Sequence, residues 1–433
     1  MTSEHLHRSL DTILSRKTPT LSPGTLEAFV QFYFEQGARY LRILEDHGAP
    51  VYLLETSVLR HRAGRFRAAF EAVLDPVGFY FAMKSNNHPA VARTLTDARF
   101  GLDVSSGLEL KTALDVGAQD IVFSGPGKTI EELHLAAGHS DRVVVLLDSF
   151  GELQRLAQVA GQLRCTVRCG VRLNANPQGL WRKFGIGMED LTAFCRAAGQ
   201  YPHVNLTGFQ FHSSWNLSPQ PQVEIIEILG QALRSLAPAY RQAIGFIDIG
   251  GGYWPEQGEW LHSRATERGR LLENLGVPSP SPLIHYCIPS APIDFFAREI
   301  AAAVRSHLTP AAPCRICLEP GRWICNDAMH LVLSVVDKKA PDLVITDAGT
   351  NAVGWERFES DYFPVLNLTR PSLKERPCHI LGALCTPHDV WGTAYFGEAI
   401  EPGDILMIPT QGAYTYSLRQ HFIKPLPGVV VIA

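Results

Sequence analysis

From about residue 79 onward the chain alternates short apolar runs with stretches of helical spacing. The apolar runs cover 79–84, 101–104, 121–124, 143–148, 166–173, 206–212, 244–249 and 315–319. Between them lie amphipathic segments such as the one opened by Ser149-Phe-Gly-Glu152, a capping-box pattern at a helix start. Strands that alternate with helices predict parallel pairing through crossovers, and eight such units predict a (β/α)8 barrel over residues 55–320. Polar or glycine-rich chemistry follows almost every run: Lys84-Ser-Asn-Asn87, Asp103-Val-Ser-Ser-Gly107, Ser124-Gly-Pro-Gly-Lys128, Arg172-Leu-Asn174, His212-Ser-Ser214, Gly250-Gly-Gly252 and Glu319-Pro-Gly-Arg322. In a barrel these would all meet at the C-terminal rim, where active sites are built.

The pattern breaks twice. The interval from about 250 to 314 is too long for one crossover and holds Pro278-Ser-Pro-Ser-Pro282 before a helix-like stretch, Phe295 to Arg305, which predicts an insertion over the barrel mouth. After about 325, β-rich runs punctuated by Gly and Pro, among them Leu381-Gly-Ala-Leu-Cys385 and Asp404-Ile-Leu-Met-Ile408, predict a second, antiparallel β domain formed by 321–433 with residues 1–54.

Composition narrows the partners. With 46% hydrophobic and 19% charged residues in 433, the chain reads as an ordinary globular protein with room for a large core. A formal net charge of -4 with both signs interspersed offers no stripe for nucleic acid and no polybasic membrane anchor, so small molecules are the expected partners. The N-terminus lacks a signal-peptide pattern and no apolar run approaches a membrane span, so the expected location is the cytoplasm. Nine Cys, an odd number, argue against a disulfide framework. Cys314-Arg-Ile-Cys317 has zinc-knuckle spacing but no second pair nearby, so it is read as core and no metal is expected.

Lys84, at the end of an apolar strand, is the leading chemical candidate. A poorly solvated amine is a better nucleophile toward carbonyls, although a lone Lys at a strand end can also simply extend its head to water. Gly250-Gly-Gly252 follows an apolar strand and leaves room for backbone N–H groups to approach an anion, or else makes a tight turn. A lysine nucleophile with an anion cradle points to a phosphate-bearing aldehyde, pyridoxal 5'-phosphate.

Taken together and in order, Ala82-Met-Lys84-Ser-Asn, Asp103 to Leu110, Ser124 to Thr129, Gly208-Phe-Gln-Phe-His212, Asp248 to Gly252, Leu318-Glu-Pro-Gly-Arg322, Cys385 with Asp389, and Gly412-Ala-Tyr-Thr415 resemble the fold-type III pyridoxal-phosphate decarboxylases, the family of diaminopimelate and ornithine decarboxylases. The resemblance spans roughly residues 50–420. It implies that Lys84 holds the cofactor covalently, that His212 stacks on its ring, and that Gly250, Gly251, Gly252 and Tyr414 hold its phosphate, with Asp103, Ser106, Gly321 and Arg322 also at the cofactor. Glu319 would face the pyridine nitrogen and keep it protonated, where related alanine racemases place an Arg. Cys385 would come from the partner subunit of a homodimer to reprotonate the substrate carbon. Lys84, Glu319, Cys385 and His212 are thus the expected catalytic set.

Two departures bear on the substrate. Family members acting on amines usually carry Asp or Glu immediately after this Cys, whereas this chain has Thr386, so a distal ammonium loses its ionic partner. The small Gly-Ser after the stacking His is replaced by Ser214-Trp215. The segments Leu384 to Gly392 and Asp347 to Arg357 resemble the branch that decarboxylates citryl-linked amino acids in siderophore pathways of the staphyloferrin B, achromobactin and vibrioferrin type; a butirosin-type decarboxylase of a carrier-bound glutamyl group is similar around the Cys. Expected substrate contacts are Arg322, Thr386, His388, Asp389, Asn351 and Arg182, with Lys183 and Arg357 as further candidates for a citryl carboxylate. Decarboxylation of a free diamino acid and a catalytically silent regulatory relative are the competing readings.

Overall fold

A computed structural model of the protein describes residues 3–15, 17–174, 178–277, 283–354 and 360–433. The chain divides into a barrel unit, Thr56–Glu256 with Ala291–Cys325, and a β unit, Met1–Glu55 with Gln257–Ser290 and Asn326–Ala433.

Eight parallel strands build the barrel: β1 (Val77–Ala82), β2 (Gly101–Val104), β3 (Ile121–Phe123), β4 (Val143–Leu147), β5 (Val167–Asn174), β6 (Val204–Gln210), β7 (Phe246–Asp248) and β8 (Arg315–Leu318). Each pairs with the next, and β8 pairs with β1 to close the ring. All eight expected strands are present. The first is set back, at 77–82 rather than 79–84, because Met83–Ser85 turns into a short 3₁₀ segment that lifts Lys84 off the strand.

Side chains on a strand alternate between its two faces, so each inward row can be followed to the rim. Tyr80, Val122, Leu146 and Cys317 pack together in the interior with Phe246 against them. Room for the Phe246 ring comes from Gly208, where an added Cβ would lie 2.3 Å from ring carbons. Two residues further along the same rows come Ser124, Asp148, Asp248 and Glu319. The pleat thereby converts an apolar barrel core into a polar rim within one or two residues.

Helices fill the crossovers, and their caps explain one departure from expectation. Ser149 accepts a hydrogen bond from Glu152 N–H at 3.1 Å, but the Glu152 side chain does not reciprocate. Its Oε1 is taken by the buried Lys128 ammonium at 2.8 Å. The two-way capping box forms instead at Thr129 and Glu132.

In the β unit an eight-stranded sheet is mostly antiparallel but includes parallel pairs, such as Val51–Glu55 with Gly428–Ile432. The expected N-terminal contribution is this strand, which sits between Gly428–Ile432 and Met329–Ala340. Helices Pro23–Glu35 and Gly37–His47 bury Leu26, Val30, Tyr33, Tyr40 and Leu44 against Leu53, Val332 and Met407, because their apolar positions recur at helical spacing. Of the interval about 250–314, expected as an insertion, segment 257–290 belongs to this unit and the helix Ile293–Ala303 to the barrel unit: strands Glu259–Leu261 and Tyr286–Ile288 pair with each other, Leu21 N–H donates to His285 O at 2.9 Å, and Cys287 N–H donates to Pro19 O at 2.9 Å. The proline tract 278–282 lies outside the described residues. No described helix is long and apolar enough to cross a membrane.

Candidate active site

Lys84 stands on the 3₁₀ turn after β1, its side chain about a third exposed, with Nζ 2.9 Å from Asp103 Oδ2 at the end of β2. Asp103 is wholly buried, and its other oxygen accepts from Ser124 Oγ at 2.5 Å. Burial and the nearby Glu319 charge push the Asp103 carboxyl above its usual range, opposed by the Lys84 ammonium. The other rim lysine, Lys128, is different. Its three donors are used by Gly125 O, Leu146 O and Glu152 Oε1 at 2.6 to 2.8 Å, and its side chain is almost fully buried, so it pins the rim and is closed to ligands. Among the two, Lys84 alone is reachable.

Glu319 follows β8, the strand next to β1, and two strands further round His212 follows β6. His212 Nδ1 accepts from Gly251 N–H at 3.2 Å and lies 3.6 Å from Glu319 Oε2, while Nε2 is 3.3 Å from Ser214 Oγ. Burial lowers the His212 pKa to about 4, so the ring is neutral and its plane is fixed from both nitrogens. Burial alone would raise the Glu319 carboxyl, but the Lys84 and Arg172 charges counter it and hold it below the usual carboxylate range. Next to it, Asp248 is pushed well up by burial and by the Glu319 charge. Of these two carboxyls, then, Glu319 carries the negative charge. Gln210 Nε2 steadies it from β6 at 3.4 Å.

The glycine run after β7 is a cradle. Gly252 has φ +84, and a Cβ there would sit 2.3 Å from Ser213 O; at Gly251 a Cβ would sit 2.2 Å from Glu319 O. The N–H groups of Gly250 and Gly251 are already given to Asp248 Oδ1 and His212 Nδ1, so these two shape the cradle and Gly252 is the backbone that can meet an anion. Gly321 is similarly constrained, by Ser85 Oγ at 2.9 Å from its would-be Cβ. Arg322 is buried, with its guanidinium 4.6 Å from the centre of the Trp254 ring. Ser106, expected at the cofactor, spends its hydroxyl as a helix N-cap, accepting from Glu109 N–H at 3.2 Å.

Other expected site residues lie in the β unit. Cys385 is exposed on the loop after strand Glu375–Leu381, beside Thr386, whose Oγ1 accepts from His388 N–H at 3.4 Å. Asp389, expected to touch substrate, is buried, with Oδ1 accepting from Thr350 N–H and Oδ2 from Leu384 N–H, both at 2.7 Å. Its observed work is to clasp the Cys385 loop. Asn351 is likewise occupied, its Nδ2 donating to Gln420 O at 3.0 Å. Tyr414 is partly buried at φ +58. His388 is exposed, as are Arg182 and Lys183 on the 3₁₀ turn Gly179–Lys183 of the barrel unit. Arg357 lies outside the described residues.

The barrel rim fits pyridoxal phosphate on two observations. Glu319 Oε2 is a buried acceptor with no hydrogen-bond donor among the described residues, which a protonated ring nitrogen would supply. Gly252, at φ +84 with Ser213 O 2.3 Å from a would-be Cβ, holds the loop in a turn closed to other residues, the kind of exposed-backbone bend that anion sites use. Lys84 would bind the aldehyde, His212 would lie against the ring, and Glu319 would hold the nitrogen's proton. When bound, the cofactor supplies an electron sink for the pair left on Cα as CO2 departs. Ionised Glu319 and neutral His212 leave the charge where that sink needs it. Asp248 and Gln210 were visible within their motifs, but only the register that sets Gln210 opposite Asp248 shows both facing Glu319's end of the barrel.

Comparison with known proteins agrees with this geometry. Residues 58–326 match the family model of the pyridoxal-dependent decarboxylases, pyridoxal binding domain, and the chain belongs to that family. It is a pyridoxal-phosphate-dependent decarboxylase, a lyase. A diaminopimelate decarboxylase of Aquifex aeolicus is 25% identical over 420 residues, covering 92% of this chain and 90% of that protein. The Staphylococcus aureus 2-[(L-alanin-3-ylcarbamoyl)methyl]-2-hydroxybutanedioate decarboxylase is also 25% identical, over 374 residues, covering 79% and 84%. In fold, the crystal structure of Helicobacter pylori diaminopimelate decarboxylase complexed with L-lysine superposes with a TM-score of 0.74 at 22% identity, over 91% of this chain and 94% of that one.

Proposed function

We propose that this decarboxylase acts on an amino acid whose distal end is already joined to citrate, releasing CO2 and the corresponding amine as a step in building a citrate-based siderophore. Thr386 carries the reading. A free diamino acid brings a distal ammonium to the Cys385 loop, where this chain offers a hydroxyl and, in Asp389, a carboxylate with both oxygens committed to backbone N–H groups. Burying an ammonium without a carboxylate costs several kcal/mol. An acylated distal nitrogen carries no charge and avoids that cost.

Relatives named for diaminopimelate and for the citryl conjugate both match at 25% identity, so the choice between them rests on Thr386. Diaminopimelate is the second reading, because its distal carboxylate would suit the same cations as a citryl group. Arg322, Arg182, Lys183 and His388 are the basic residues proposed to meet such a carboxylate. In both readings the enzyme is a cytoplasmic homodimer. The exposed Cys385 of one subunit completes the rim of the other and delivers a proton to Cα after CO2 is lost. Intact Lys84, Glu319 and Cys385 argue against a silent regulatory protein. The test is CO2 release from free and citryl-linked amino acids under matched conditions.

A further inference from the structure

After His212 the chain runs Ser213-Ser-Trp215-Asn216. Trp215 sits at φ +55, a backbone region that residues with a Cβ rarely adopt, and its side chain is 49% exposed. An exposed aromatic by itself is unremarkable. This one is held in place on three sides. Its indole stacks on Trp254, with centroids 6.4 Å apart and planes at 27°, and the Arg322 guanidinium lies 4.6 Å from the centre of the Trp254 ring. The backbone is tied to the glycine cradle: Asn216 N–H donates to Gly252 O at 2.9 Å, and Trp254 N–H donates to Asn216 O at 3.2 Å. Asn216 Nδ2 closes the turn on Ser213 Oγ at 2.8 Å. The αL conformation of Trp215 is therefore imposed by the same loop pair that shapes the phosphate cradle. The result is a ladder of two indoles and a guanidinium at the rim that also carries His212 and Glu319.

We infer that Trp215 is a specificity-determining residue, and that its exposed indole face is the shelf for the planar acyl arm of an extended substrate. The inference rests on the acylated-substrate reading above and adds the group that recognises the acyl part. Planar π systems are favourable stacking partners for an indole, and the amide plane of an acylated substrate laid on Trp215 would cover apolar surface otherwise left to water. A free diamino acid has no amide in that place and gains nothing from the shelf.

The experiment compares the holoenzyme with its Trp215→Ala and Trp215→Phe variants on two probes: the amide of citrate with 2,3-diaminopropionate, and meso-diaminopimelate. Trp215→Ala is expected to lower kcat/KM for the amide about tenfold, mainly through KM, as for loss of a modest apolar contact, while changing meso-diaminopimelate less than twofold. Trp215→Phe should recover most of the loss. Cofactor content, read from the absorbance of the bound chromophore, should be the same in all three proteins. Equal losses on both probes, or loss of cofactor from Trp215→Ala, would overturn the shelf and make Trp215 a structural or cofactor residue. If the unmodified protein turns over no acylated amino acid, the acylated-substrate reading falls and the shelf falls with it. Turnover of the amide with equal losses removes the shelf alone.

Discussion

Lys84 and Asp103 form an ion pair at 2.9 Å in which the carboxylate is wholly buried and the ammonium is about one-third exposed. The pair therefore has one end fixed in the barrel and one end partly exposed. Borohydride treatment of the holoenzyme should fix a pyridoxyl group on Lys84, detectable by peptide mass, and Lys84→Ala should carry none. Removing the ammonium also leaves Asp103 unpaired, and burial already raises that carboxyl. A carboxyl raised in the folded state destabilises it once pH is high enough to ionise it in the unfolded chain. Compared with cofactor-free wild type, Lys84→Ala should thus lose more melting temperature at pH 8 than at pH 5. Labelling of another lysine would refute the assignment.

Cys385 is expected to act after CO2 is lost, as the acid that protonates Cα. Cys385→Ala should retain cofactor, lose turnover by roughly 10²-fold or more, and release some aldehyde in place of amine, because the proton then arrives from elsewhere. If the thiol acts across the dimer, mixing the inactive Lys84→Ala and Cys385→Ala proteins should restore activity through hybrids carrying one intact site. Unchanged amine yield in Cys385→Ala, or no recovery despite proven subunit exchange, would remove it from this role.

Asp389 holds that thiol's loop. In Asp389→Asn one backbone N–H, of Thr350 or Leu384, faces an NH2 group instead of an oxygen, an unmade buried hydrogen bond costing about 1–3 kcal/mol. Activity should fall with full cofactor content and an urea midpoint lowered accordingly. An Asp389→Asn protein as stable and active as wild type would show that the clasp is dispensable.

Acid stability should be governed in part by Glu55 of the β unit. Its carboxylate accepts from Tyr40 Oη at 2.6 Å and Arg39 Nη1 at 3.1 Å, and lies 3.2 Å from His330 Nε2. Burial opposes ionisation, but His330, Tyr40 and Arg39 together hold the pKa at about 2, below its ordinary value near 4.5. A depressed carboxyl stabilises the fold above its unfolded pKa and loses that contribution as pH falls from about 4.5 toward 2; up to about 3 kcal/mol is at stake. Denaturation midpoints measured between pH 5 and pH 2.5 should decline steeply for wild type. They should decline less for Glu55→Gln, which starts lower, and parallel curves would exclude Glu55 as the responsible group.

The barrel and its chemistry were legible because the inward rows of a strand end in the rim, so an apolar run followed by Lys84, Asp103, His212 or Glu319 announces both strand and site. What a linear pattern could not carry was competition for side chains. Glu152 has the spacing of a capping box yet goes to Lys128, a partner from the preceding crossover. Asp389 looks like a ligand contact yet is consumed by two backbone donors. Segment 257–290 falls between barrel strands in sequence, while its hydrogen bonds run to Pro19 and Leu21, more than 200 residues away by number. Long-range pairing of that kind leaves no local signature.

The central claim is the substrate, and Thr386 is its hinge. The most direct measurement is kcat/KM for lysine, ornithine, meso-diaminopimelate, citryl-diaminopropionate and citryl-serine, with Thr386→Asp measured alongside. The account predicts that a citryl-linked amino acid is best, that lysine and ornithine are poor, and that Thr386→Asp shifts preference toward the free diamino acids. A free diamino acid favoured tenfold or more by the unmodified protein, about 1.4 kcal/mol of transition-state preference, would contradict it.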